Sequence, residues 1–92
     1  MKITFDPGKR EATLATRGLD FADAETVFAG QHFTVADRRA DYGERRFQTI
    51  GYLSDRMVMV VWTARGDDCR VISMRKCNDR ERKAYRQRLE ES

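Results

Sequence analysis

Histidine is nearly absent from this 92-residue chain, which carries His32 alone, and cysteine is limited to Cys69 and Cys77. With no CxxC or HxxxH spacing anywhere, the sequence predicts no metal site and no cofactor. The two cysteines stand eight residues apart on one predicted strand, and at about 3.4 Å per residue that separation is well beyond disulfide reach. They read as reduced thiols. There is a single proline, Pro7, and no run of 18 apolar residues, and Met1 is followed by a short strand and a capped helix rather than an apolar leader. These absences exclude a membrane-spanning helix from the reading and lead us to expect a soluble, cytoplasmic protein.

What is present is charge. Charged residues make up 36% of the chain against 40% hydrophobic, enough apolar matter for one modest core spanning residues 1–92 as a single domain. The net charge of +3 is unevenly placed. Residues 1–64 hold nine basic and nine acidic side chains, whereas Cys69 to Arg88 hold eight Lys or Arg against Asp79 and Glu81. Fourteen of the 18 basic residues are Arg, whose planar fork matches two phosphate oxygens at once. A field concentrated in this way attracts polyanions, and nucleic acid is the first partner to consider.

Lys2 to Phe5 reads as an opening strand. Asp6 then supplies a capping oxygen and Pro7 a first-turn residue, so a helix is expected from Pro7 to about Arg17, stopped by Gly18 in a left-handed cap. Asp20 opens a second helix, with Phe21, Ala24, Val27 and Phe28 on one face, ending near Gly30. From Phe33 the period changes towards two: strands are predicted at Phe33–Ala36, Glu44–Leu53, Met57–Thr63 and Cys69–Lys76, joined by a polar connection over Arg38–Gly43 and tight turns at Ser54–Arg56 and Arg65–Asp68. Asn78 followed by Glu81 has the spacing of a capping box opening a last helix. The predicted order is βααββββα, an α+β domain with an antiparallel sheet. In its last strand, strict alternation places Cys69, Val71, Ser73 and Arg75 on one side and Arg70, Ile72, Met74 and Lys76 on the other.

Several segments, taken in order, carry a resemblance: Phe5-Asp6-Pro7 with Lys9, Gly18-Leu19-Asp20-Phe21 with Ala24, Val27 and Phe28, Gly43-Glu44-Arg45-Arg46-Phe47 leading to Ile50-Gly51, Val60 to Asp67, and Arg70 to Lys76 followed by Glu81 and Tyr85. Together they resemble the BrnT family of toxins from bacterial type II toxin–antitoxin systems. The resemblance implies a RelE-like fold and an endoribonuclease that inhibits translation. It also implies neutralisation by a BrnA-like antitoxin with a ribbon-helix-helix domain, in a hetero-oligomer that meets operator DNA only through the antitoxin. Two positions depart from the pattern: Trp62 stands where relatives often have His or another ring residue, and Ala64 where they often have Glu.

Metal-free RNA cleavage must deprotonate a 2′-hydroxyl, stabilise charge on the phosphorane and protonate the leaving 5′-oxygen. Arg75 is the expected phosphate ligand, with Arg70 or Arg65 nearby. Lys76 is expected to add charge or a proton. Glu81 and Tyr85, four apart on the last helix, face the same way and are the candidates for acid–base or positioning roles. Ser73 is a candidate donor to phosphate, and Trp62 a candidate base-stacking ring. Each has a plainer reading: Glu81 as a helix cap, Tyr85 and Trp62 as packing residues, Ser73 as a partner for a backbone group. His32, after a helix-ending glycine, falls in a predicted loop. The alternative function is a non-enzymatic module that binds nucleic acid or protein with the same basic surface, because binding and cleaving a phosphate recruit the same arginines.

Overall fold

In a computed structural model describing residues 2–91, the chain is α+β, with a five-stranded mixed sheet and three α-helices. β1 (Lys2–Thr4) leads into α1 (Pro7–Arg17), where the Asp6 carboxylate accepts from the Gly8 and Lys9 amides and Gly18, at φ 68°, closes the helix with its N–H on the Leu14 carbonyl. The second helix is shorter than the apolar spacing suggests. A 3₁₀ turn over Phe21–Asp23, capped by Asp20, precedes α2 (Ala24–Ala29). Strands β2 (His32–Asp37), β3 (Arg46–Leu53), β4 (Arg56–Arg65) and β5 (Asp68–Lys76) come next, and α3 (Asp79–Glu90) is the last element. His32 thus begins a strand rather than lying in a loop, with its Nδ1 2.8 Å from the Gly30 carbonyl and its ring against Phe28.

Spatial order in the sheet is β1-β5-β4-β3-β2. The expected all-antiparallel sheet is corrected at one edge: β1 pairs parallel with β5, Ile3 opposite Cys69. Local turn chemistry specifies the antiparallel hairpins, whereas this pairing joins segments more than sixty residues apart. The β3–β4 turn places Ser54 and Asp55 at φ 50° and 64°, the left-handed pair that suits a tight hairpin. β4 lies at the centre, and Met57 to Val61 are all buried, as an unbroken apolar run requires.

The sheet has helices on both sides. On one face α1, the 3₁₀ turn and α2 cover Val58, Val60, Val71 and Met74 with Leu19, Phe21, Ala24 and Val27. At Gly51 the approach of α2 is so close that a Cβ would meet Val27 Cγ1 at 2.8 Å, which explains a glycine inside β3. α1 has no buried residue and docks through polar contacts: Arg10 pairs bidentately with Asp20, and Arg17 donates to the Met74 carbonyl at 2.9 Å. On the other face α3 packs Leu89 with Ile50, Met57, Met59, Val61 and Cys77, with Ile72 at the margin of that cluster and half-buried Gln48 and Ser73 further along the face.

One irregularity decides where the basic residues of β5 point. Val61 pairs with Ser73 but Trp62 pairs with Val71, so Ile72 is an extra residue in a bulge. A bulge shifts the alternation by one position and re-aims the side chains beyond it. Strict alternation, which puts Arg75 beside Cys69 and Val71, is therefore overturned. Met74 joins Val71 in the α1/α2 core, and Arg75, opposite Met59, turns to the α3 face.

Candidate functional site

Arg75 and Glu81 are the two predicted site residues that come into direct contact. The Glu81 carboxylate meets the guanidinium end-on, with Arg75 Nη1 2.7 Å from Oε1 and Nη2 2.8 Å from Oε2. The same carboxylate accepts from the Asn78 amide at 2.9 Å while the Asn78 side chain accepts from the Glu81 amide at 2.8 Å, so the capping box also fixes the ion pair. The Arg75 hydrogen bond, chiefly, holds the Glu81 pKa down at about 2, and Arg75 is correspondingly raised. Glu81 is therefore a carboxylate throughout the neutral range, a weak base and no proton donor.

The fork has donors beyond those two. Nη1 also reaches the Lys76 carbonyl at 3.3 Å, and Nη2 lies 3.5 Å from the Met59 sulfur. Nη2 thus rests against the thioether of buried Met59 while Glu81 occupies the Nη1–Nη2 edge, and the guanidinium as a whole stays about a third exposed. A guanidinium fixed by its carboxylate and still partly exposed is preorganised for an anion.

The remaining predicted residues separate. Arg70, opposite Thr63, and Ser73, opposite Val61, share the α3 face with Arg75 but lie further along it. Tyr85 stands one turn beyond Glu81 and packs edge-to-face on Phe33, ring centroids 5.5 Å apart, within the core under α3. Lys76 pairs with Val58 and so points to the opposite side of the sheet from Arg75. Trp62 is also on that opposite side: its indole N–H donates to the Thr49 hydroxyl at 2.8 Å, and its ring lies between Phe28 and Phe47. Arg65, at the end of β4, pairs with Glu44 at 3.1 Å.

The sequence reading missed a second group on the α3 face. Asp37, fully buried by its side chain, binds Arg39 bidentately at 2.8 Å to each carboxylate oxygen. Arg46 lies across the ladder from Asp37, stacks 4.1 Å over the Tyr42 ring and shares Glu44 with Arg65. The signal was in the chain, since Arg38-Arg39 and Arg45-Arg46 flank the connection between β2 and β3. The strand register places Arg46 on the face of the sheet that carries Arg75, and Arg39 is held there by its pair with Asp37.

Among the described residues no three His, Cys, Asp or Glu side chains come together as a metal-binding group, and no helix is long and apolar enough to cross a membrane. Both cysteines are buried free thiols whose pKa values burial pushes up to about 11, which makes them inert as nucleophiles. What remains is a sheet face carrying preorganised guanidiniums, suited to phosphodiesters.

Residues 5–81 match the family model described as "Ribonuclease toxin, BrnT, of type II toxin-antitoxin system". The chain belongs to the BrnT family. It is thus an endoribonuclease toxin with a protein antitoxin as partner, as the ordered motifs implied. The match takes in Arg75 and the capping box and ends at Glu81, so Tyr85 lies beyond it. No curated protein matches this BrnT chain.

Proposed function

We propose that this BrnT toxin cleaves RNA without a metal, on the α3 face of its sheet, with Arg75 holding the scissile phosphate. The observation that carries the reading is the end-on Arg75–Glu81 pair, which fixes the guanidinium while leaving it partly exposed on the α3 face. In the reaction the 2′-hydroxyl gives its proton to solvent as its oxygen attacks phosphorus, the phosphorane gathers negative charge, and the 5′-oxygen leaves with a proton from solvent, so that a 2′,3′-cyclic phosphate and a 5′-hydroxyl end result. Arg75 stabilises the phosphorane because its charge is fixed in place before that negative charge appears. Glu81 acts as the positioning residue that aims Arg75. Arg70 and Ser73 extend the phosphate-binding floor along β5. Tyr85 anchors α3 so that Glu81 keeps its place, and Lys76, Arg65 and Trp62 act outside the bond-breaking centre.

The biological reading rests on the family: RNA cleavage inhibits translation in the cytoplasm until a BrnA-like ribbon-helix-helix antitoxin binds. The toxin then sits in a hetero-oligomer that contacts operator DNA through the antitoxin. A RelE-like ancestry is consistent with an antiparallel four-strand meander after two helices. An antitoxin that offers acidic side chains to this face would neutralise the charge that RNA needs.

The test is expression of the chain without its antitoxin, alongside Arg75→Ala. Growth arrest and RNA cleavage in EDTA by the wild type, both relieved by Arg75→Ala in a folded protein, are expected. Binding of RNA with no cleavage would replace this reading with the non-enzymatic module, and undiminished cleavage by Arg75→Ala would remove Arg75 from the centre.

A further inference from the structure

Two bidentate arginine–carboxylate pairs stand on the α3 face, and only one belongs to the site described above. The second, Arg39 with Asp37, sits where β2 gives way to the loop before β3. Ladder partners Asp37, Arg46, Thr63 and Arg70 form one row across four strands, and Phe33, Ile50, Met59 and Arg75 form another. Thr63 and Met59 are four residues apart on β4, so the rows are separated by about 13 Å. That is too far for one phosphate to meet both rows and a span that a few nucleotides cross. Between them lie half-buried Gln48 and Ser73, polar side chains that line the path.

The composition of the second group is that of a nucleic-acid contact. Arg39 is tied to a buried acid and also interacts with the Tyr42 phenol. Arg46 covers one side of the Tyr42 ring. Arg39 is close enough to Arg75 for its like charge to oppose that of Arg75. Two cations are thus held within electrostatic range of each other by separate buried or half-buried carboxylates. Surplus positive charge lies on the Asp37–Arg46 row, where Arg46 and Arg65 share the single carboxylate of Glu44, and it draws an anion that runs from Arg75 towards it.

We propose that Arg39, Tyr42 and Arg46 form a second RNA-binding arm, which takes the phosphates and a base of the single strand flanking the bond cut at Arg75. Asp37 is its positioning residue, as Glu81 is for Arg75. The arm rests on the reading of the Arg75 face as the cleavage site, and it makes the enzyme prefer a strand long enough to reach both rows. Guanidinium and phenol recognise backbone and π-face, so the arm sets substrate length rather than base identity.

The experiment uses the full chain and fully 2′-O-methylated RNA, which binds and is not cut, as a dinucleotide and as a ten-nucleotide strand. Wild-type Kd values are compared with those of the double variant Arg39→Gln, Arg46→Gln over a range of salt. Each lost phosphate contact lowers the slope of log K against log salt by about 0.7 for single strands, so a drop of about 1.4 is expected. The tenfold or greater advantage of the long strand is expected to fall towards the dinucleotide value. Removing Arg39 leaves buried Asp37 without its arginine, so Arg46→Gln alone, whose acid retains Arg65, serves as the second variant, with an expected drop of about 0.7. Equal weakening of short and long RNA overturns the arm. So does an unaltered salt slope, or a loss confined to antitoxin binding. Uncut RNA under Arg75→Ala and wild type alike, by contrast, removes the proposed function while these binding slopes still judge the arm.

Discussion

The two faces of the sheet use the same chemistry to opposite ends. On the α1/α2 face, Arg10 grips Asp20 at 2.7 and 2.9 Å, as closely as Arg75 grips Glu81 on the other. Their surroundings differ. Around Arg10 the further charges that act on it are the acids Asp23 and Glu11, and the pair simply staples α1 to the turn before α2. Around Arg75 a further charge is another cation, Arg39. A bidentate ion pair is not in itself a functional mark; on the α3 face Arg39 is balanced by Asp37, and the surplus positive charge lies at Arg46 and Arg65, which share the single carboxylate of Glu44. Trp62 sharpens the contrast, since its N–H is already satisfied by Thr49 and aromatic rings hold two sides of it.

Exchanging the two arginines for alanine is the strongest way to break the comparison. Arg75→Ala is expected to lower RNA cleavage by about 10²- to 10³-fold, the scale of one preorganised charge-stabilising donor. Arg10→Ala is expected to lower the melting temperature and leave the cleavage rate of the folded protein nearly unchanged. Single-turnover cleavage beside thermal melts separates the two. Next in size is Trp62→Phe, which removes the N–H donated to Thr49 and is expected to cost about 1 kcal/mol of stability. Its urea midpoint should fall while RNA affinity holds, and a selective loss of RNA binding would return Trp62 to the substrate side.

Glu81→Gln gives the finest cut. The folded-state pKa of Glu81, about 2, lies below its ordinary 4.5, so the unfolded chain takes up the proton first as pH falls. The charge on Glu81 therefore contributes its full stability above about pH 4.5 and loses it progressively down to about pH 2. At pH 7 the Gln variant is expected to be less stable by about 1 kcal/mol, discounted for the partly exposed Arg75. Urea melts across that range should show the difference between the two proteins closing towards pH 2. A gap that stays constant would mean that the capping geometry, which Gln retains in part, accounts for the whole effect.

What was legible in the sequence was local. Asp6 with Pro7, Gly18, and Asn78 with Glu81 announce helix ends because each cap is satisfied by atoms within a few residues. The hairpins were legible for the same reason. The parallel β1–β5 pair was not, since it depends on chain segments that meet only in the folded state. Nor was the bulge at Ile72, which has no glycine or proline to mark it, and that single residue carries Arg75 from one face to the other. Among the predicted site residues, Arg75 and Glu81 were named as separate candidates for one site, and their ion pair, which spans six positions between a strand end and the first turn of a helix, emerged only in the structure. Arg39 fell in the predicted polar connection and Arg46 in the predicted strand Glu44–Leu53, but neither was singled out, because the face of Arg46 is set by its ladder partners and the place of Arg39 by its pair with Asp37.

The central claim is that RNA lies on the α3 face, between the Arg75–Glu81 pair and the loop carrying Arg39. Amide chemical-shift mapping with a 2′-O-methylated ten-nucleotide RNA tests it most directly. The account predicts that the largest changes fall on Gln48, Ser73, Arg75 and residues 38–46, with α1, α2 and His32 still. Changes centred on α1 and α2, with Arg75 and Ser73 unmoved, would contradict it.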